Sequence, residues 1–293
     1  MDIRRTEGRF EGAGGRSLFR RSWLSESPER VLVVAHGFAE HSGRYEPFGR
    51  WFAESGCAVH GYDHQGHGRS TGPRNYVASF ADYLDDLGAF LDVVVHEHPG
   101  LEVVLVGHSM GGLITAGFTR ERKPDVLGVV LSGPALALGQ ALSGPSLWFV
   151  KLIRHVAPRF LANAGLPVDG LSRDSEVQRL YEEDRLVDTR MTPALALAMR
   201  EAGERTAAGG AEVEVPMLLL HGADDPLCSP SGSEVFFASL PAGSAPPSAL
   251  KVYPGLLHEI FNEPEREEVF ADLLGWVRSL EESRPSKAAG ANA

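Results

Sequence analysis

Apolar residues in this chain fall into short, dense blocks. Residues 31–35, 58–62, 103–106, 128–132, 216–220 and 250–253 are brief runs rich in Val, Leu and Ala, apolar at odd and even positions alike. A strand with both faces buried reads this way, and parallel sheets bury both faces. Between the blocks, residues 44–54, 80–98, 113–119, 192–206, 231–240 and 264–282 predict helices. Thr192 and Pro193 make a cap followed by a first-turn proline, and Pro264 is expected in the first turn of the closing helix. Ahead of them, residues 6–24 predict a β-hairpin turning at Gly12–Gly15. Strands alternating with helices long enough for crossovers imply an α/β fold. Its mostly parallel central sheet carries helices on both faces.

The alternation breaks once. Residues 134–188 carry no clear strand pattern and read as a helical insertion. The expected organisation is a core at 1–133, a helical cap at 134–190, a returning core at 191–284 and a flexible tail at 285–293. Within the cap, Phe149, Leu152, Ile153, Val156 and Phe160 recur at helical spacing up to and beyond Pro158. Lys151, Arg154, His155 and Arg159 fall mostly on another side. No acidic residue lies between Asp125 and Asp169, although the chain has 39 in total. Two readings follow and both are kept. One is a cap helix packing its apolar side over a site; the other is a cationic, apolar surface that meets lipid.

Composition narrows the class. At 293 residues and 43% hydrophobic content, one large domain with an insertion can bury a sizeable core. A net charge of −11 argues against a nucleic-acid partner, which would need clustered Lys and Arg. Cys57 and Cys228 are too few for a disulfide framework and are expected to be reduced thiols. The start, MDIRRTEGRF, lacks the apolar run of a signal peptide, and no stretch is apolar enough to span a membrane. A cytoplasmic, soluble protein is expected; the oligomeric state is not specified.

The chemistry centres on Gly107-His108-Ser109-Met110-Gly111, placed where a buried-type strand passes into a helix. A G-x-S-x-G sequence in that context predicts a tight turn that lifts the serine hydroxyl off the backbone, in a sparsely allowed conformation. The helix that follows directs free N–H groups at any oxyanion formed beside the serine. Two other strand ends carry matching groups: Asp224-Asp225 after 216–220, and His258 after 250–253. In a parallel sheet these C-terminal ends share one edge. A serine needs a neutral imidazole to take its proton, and the imidazole needs a carboxylate to orient it. His258 suits the first role; Asp225 or Asp224 suits the second. His36-Gly37-Phe38, after another strand, brings the Phe38 N–H toward the same edge. The loop Asp63–Ser70, dense in His and Gly, reads as a metal site or, more simply, as a rigid loop packed beneath the site.

HGFAEHSGRY at 36–45, DHQGHGRS at 63–70, GHSMGG at 107–112, LLLHGADDPLC at 218–228 and YPGLLHE at 253–259 together resemble the monoacylglycerol lipase and lysophospholipase branch of the α/β-hydrolases. The similarity runs from about residue 8 to residue 280 and includes the cap text at 168–187. The resemblance implies an α/β-hydrolase fold with Ser109, Asp225 and His258 as a triad in that chain order. It implies the N–H groups of Phe38 and Met110 as the oxyanion hole, and neither metal nor organic cofactor. The implied reaction is hydrolysis of a monoacylglycerol, a small lipid ester, to fatty acid and glycerol through an acyl-enzyme. A lysophospholipase or general carboxylesterase is the close alternative, and a peptidase or a non-catalytic binding module of the same fold is less favoured. Phe149, Leu152, Ile153 and Val156 are expected to line the acyl tunnel as a lid, with transient membrane contact through the cap. Cys228 falls where the family places a cysteine near the site.

Overall fold

The computed structural model describes residues 3–137, 144–242 and 248–283. Eight strands form one sheet in the order β1-β2-β4-β3-β5-β6-β9-β10. β1 (Arg4–Gly12) and β2 (Arg16–Leu24) are the antiparallel hairpin at one edge, and β2 continues antiparallel onto β4 (Cys57–Tyr62). From β4 onward the sheet is parallel: β3 (Arg30–Ala35), β5 (Val103–His108), β6 (Gly128–Ser132), β9 (Met217–Gly222) and β10 (Ala249–Tyr253). Strands β3, β4, β5, β6 and β9 are buried at every position. That burial is why their sequences show apolar runs instead of alternation.

Helices cover both faces. α2 (Ala81–Glu97), α3 (Met110–Arg122), α6 (Pro193–Ala208) and α7 (Pro230–Ser239) build one core, with Leu87, Phe90, Leu113, Leu195 and Phe236 buried against Val33 and Leu105. On the other face, α1 (Glu46–Glu54) and α8 (Arg266–Ser283) bring Phe48, Phe52 and Phe270 together over Leu32 and Val104. The Phe48 ring lies 4.4 Å from Phe52 and 5.3 Å from Phe270, centroid to centroid. Each fully buried aromatic of this kind contributes about 1.5–3 kcal/mol relative to exposure. No helix among the described residues is long and apolar enough to cross a membrane.

Several local expectations shift. The 44–54 helix divides into a 3-10 turn at Ser42–Tyr45 and α1, because Glu46 and Pro47 start a new first turn. The closing helix starts at Arg266, so Pro264 lies ahead of it, in a turn closed by the Arg266 N–H on the Glu263 carbonyl. Thr192 does cap α6, accepting from the Leu195 N–H.

The segment between β6 and α6 holds α4 (Gly144–Val156), α5 (Ser175–Glu183) and a two-residue ribbon, β7 (Ala162–Asn163) with β8 (Arg190–Met191). The ribbon has no apolar run to announce it, and it pairs residues far apart in sequence. It is tied to the core where Asn75 Nδ2 donates to the Asp188 and Arg190 carbonyls. The expected tail at 285–293 lies outside the described residues.

Candidate active site

Ser109 stands between β5 and α3 with φ 52° and ψ −117°, in the left-handed half of backbone space. A non-glycine residue there stores roughly 1–3 kcal/mol of strain, which the surroundings must enforce. They do so by contact. A Cβ at Gly111 would lie 2.0 Å from the Ala35 carbonyl oxygen, and one at Gly107 would lie 2.5 Å from the Gly111 carbonyl oxygen. Only glycine lets the first turn of α3 press against the ends of β3 and β5. The Ser109 N–H is held by the Ser132 carbonyl at 3.0 Å.

The turn after β3 is braced by histidines. His36 Nδ1 bonds the Gly37 carbonyl at 2.7 Å, its Nε2 accepts from the His64 N–H at 2.9 Å, and His64 Nε2 meets the His36 carbonyl at 2.8 Å. Burial first, then the neighbouring histidines, keep His36 well below the usual histidine range. The ring is therefore neutral and serves as a fixed strut. Asp63 adds to the brace by accepting from the Ser42 N–H, the Ser42 hydroxyl and the Arg69 N–H. These bonds give the loop Asp63–Ser70 the packing role. The N–H groups of Phe38 and Met110 find no acceptor among the described residues.

Asp225 and His258 meet at the end of β9 and β10. His258 Nδ1 lies 2.7 Å from Asp225 Oδ2. The same oxygen receives His221 Nε2 at 3.1 Å, while Oδ1 accepts from the N–H groups of Leu227 and Cys228 at 2.8 and 2.9 Å. Burial pushes the Asp225 carboxyl up, but the bonds from His221 and His258 outweigh it and hold the group far below the usual carboxylate range. Asp224, the alternative left open by sequence, is exposed. His221 is itself steadied by Ser233 Oγ at 2.7 Å.

Ser109 and His258 open onto one cavity of about 570 Å³, its mouth included. Its apolar walls include Leu166, Leu171, Tyr181, Met191, Met199 and Leu227. Cys228 also lines it, within hydrogen-bonding reach of Ser109; burial and the Asp225 charge push its thiol up, so it is a neutral neighbour.

Four residues expected in the wall are elsewhere. Phe149, Leu152 and Val156 are 57%, 47% and 76% exposed, and Ile153 is half-buried; none lines the cavity. Trp148 and Phe160 share that exposure at 68% and 58%. Amphipathic spacing separates two sides of α4 but does not state which side meets the protein. Here the large apolar side chains face outward, and the wall comes from Leu166, Leu171 and Tyr181 together with Met191, Met199 and Leu227 further along the chain.

A clasp with no local sign in the sequence joins the turn after β3 to the loop after β10. Arg44 donates to both oxygens of Glu259, at 2.6 and 2.7 Å, and to Glu40 Oε2 at 3.0 Å. Glu40 Oε1 accepts from the Gly37 N–H and the Tyr45 hydroxyl. The guanidinium also covers the Tyr181 ring of α5 at 4.7 Å. Burial raises Glu40, whereas the bidentate Arg44 contact outweighs burial and lowers Glu259. The residues stand in the quoted motifs at 36–45 and 253–259, but nothing local indicates that they meet. Arg44→Met is expected to cost about 3–5 kcal/mol of folding stability by leaving two buried carboxylates unpaired. Arg44→Lys should recover only part, lacking the planar fork. Denaturant melts of the three proteins check this.

A family model described as serine aminopeptidase, S33, matches residues 26–265. The chain belongs to that family of α/β-hydrolases, and it is a serine ester hydrolase. It is 34% identical over 282 residues to a monoacylglycerol lipase of Mycolicibacterium smegmatis, covering 94% of this chain and 98% of the relative. It is 32% identical over 254 residues to the phospholipase YtpA of Bacillus subtilis, covering 85% and 95%. The crystal structure of a Paleococcus ferrophilus monoacylglycerol lipase superposes with a TM-score of 0.78 at 28% identity, covering 96% of this chain and all of the other.

Proposed function

We propose that this α/β-hydrolase cleaves monoacylglycerols to fatty acid and glycerol, with Ser109, His258 and Asp225 as its triad. Ser109 Oγ attacks the ester carbonyl as His258 Nε2 takes its proton, and Asp225 holds Nδ1–H and steadies the imidazolium. The N–H groups of Phe38 and Met110 donate to the oxyanion, each contributing about 3–4 kcal/mol to the transition state. Collapse expels glycerol, protonated by His258. Water then repeats the sequence on the acyl-enzyme and releases the fatty acid.

The observation that carries the choice of ester over peptide is the charge balance of the cavity. An aminopeptidase must offer a carboxylate to its substrate's α-ammonium group. The cavity carboxylates, Glu40 and Glu259, both already hold Arg44. Of the acidic run Glu182–Asp184, Glu183 pairs with Arg179 and Asp184 with His41, and none of the three lines the cavity. The remaining wall is apolar and suits an acyl chain. A lysophospholipid is the second reading, supported by the phospholipase among the relatives. Rates on monoolein, lysophosphatidylcholine and a phenylalanine p-nitroanilide test the assignment. Monoolein is expected to be fastest, and a dominant peptidase rate would overturn it.

The outward face of α4, with Trp148, Phe149, Leu152 and Val156 exposed beside Lys151, supports transient contact of the cap with a membrane surface. The double change Trp148→Ser and Phe149→Ser is expected to lower binding to anionic vesicles about tenfold or more in a sedimentation assay, while leaving short-ester hydrolysis unchanged. The free, buried thiols of Cys57 and Cys228 suit a reducing compartment and support a cytoplasmic location as part of this proposal.

A further inference from the structure

A second cluster of ligand-type side chains lies where β4 meets the end of α2. His60 Nε2 and His98 Nε2 face each other at 2.8 Å, with the ring planes 66° apart. One ligand atom from each of His60, Glu97 and His98 lies within 4.8 Å of the others. Two imidazole nitrogens this close cannot both carry a proton, so at least one lone pair points into the gap. On the far side of the His60 ring, Nδ1 bonds Ser22 Oγ of β2 at 2.8 Å. A bond of that kind fixes the ring and leaves Nε2 as the ligating atom. Glu97 stands at the exposed rim, and Arg20 donates to its Oε1 at 2.5 Å, much as ligating carboxylates are held by an outer partner. Arg20 places a positive charge beside the cluster, and its pairing with Glu97 offsets that charge.

We propose that His60, Glu97 and His98 form a binding site for a divalent transition cation of the zinc, cobalt or nickel type. Two imidazoles and one carboxylate match the donor preference of these ions, and the rim at Glu97 leaves a position for water. The net charge of −11 draws cations to the protein. The ion takes no part in ester hydrolysis. α2 runs back to the N-terminal edge of the sheet before β5 begins, so His98 lies at the edge opposite Ser109. Its role is that of a clip joining β2, β4 and α2.

Tag-free protein stripped with chelator and titrated with Co²⁺ is expected to develop a visible d–d absorption band that saturates at one equivalent. Saturating Zn²⁺ should displace that band and raise the melting temperature by about 5 °C. His98→Ala and Glu97→Gln, both at the surface end of the cluster, are each expected to weaken Co²⁺ binding at least about tenfold while remaining folded. Absence of the band in wild type, or equal binding by wild type and His98→Ala, would overturn the site. Ester hydrolysis should be the same with and without the ion, so failure of this site leaves the Ser109 assignment untouched.

Discussion

Ser109→Ala is expected to lower kcat/KM for monoolein by at least about 10⁴-fold and to abolish labelling by a fluorophosphonate probe. The size follows from the geometry around one oxygen. Oγ is the atom at the top of the strained turn between β5 and α3, and among the described residues the one other hydroxyl lining the cavity is that of Tyr181. Tyr181 cannot substitute, because burial pushes its hydroxyl well above the usual tyrosine range. Nor can Cys228, whose thiol burial holds neutral. The variant should melt close to the wild-type temperature, since alanine retains the turn and the one buried group that loses a partner, the Cys228 thiol, hydrogen-bonds only weakly. A wild type that resists the probe, or a variant that keeps its rate, would refute the nucleophile assignment.

Asp225→Asn is expected to cost about 10⁴-fold in kcat with little change in fold. The carboxylate accepts four hydrogen bonds, two on each oxygen. An amide offers one accepting oxygen and one donating nitrogen. If its oxygen keeps the Leu227 and Cys228 N–H groups, its NH₂ must face His258 Nδ1 and His221 Nε2. His258 is then driven to the tautomer with Nε2–H, which cannot take the serine proton. Asp224→Asn is the matched control. That side chain is exposed, and activity within about twofold of wild type is expected. Loss of rate in Asp224→Asn with Asp225→Asn unaffected would reverse the assignment. Comparing kcat for both variants across pH 6–9 separates a tautomer defect, which persists throughout, from a simple shift of the profile.

The parts legible in the sequence were those with a local cause. Strands β3, β5, β6 and β9 are buried at every position, so their middles are unbroken apolar runs, and that pattern needs no partner to be recognised. The turn at Gly107–Gly111 is legible because glycine is required where Cβ would strike backbone 2.0–2.5 Å away. Ser109, Asp225 and His258 were readable as strand-end residues because a parallel sheet gathers its C-terminal ends on one edge.

Tertiary structure decided whatever depended on a distant partner. Asp225 and Asp224 are adjacent and chemically alike; burial and four donors separate them. Arg44 and Glu259 lie 215 residues apart, and neither carries a local sign of the pairing that ties the Phe38 turn to the His258 loop. The same holds for α4. Its spacing defined two sides, but only packing onto α6 turned Phe149, Leu152 and Val156 outward. The cavity wall fell instead to Leu166, Leu171, Met191 and Met199, none of which forms a periodic stripe. The strands, the strained serine turn and the order of the reactive groups are legible locally, since each follows from backbone sterics and burial within a few residues. Which carboxylate orients His258, what clasps the two loops and which surface meets the acyl chain follow from long-range contacts, and those exist only in the folded chain.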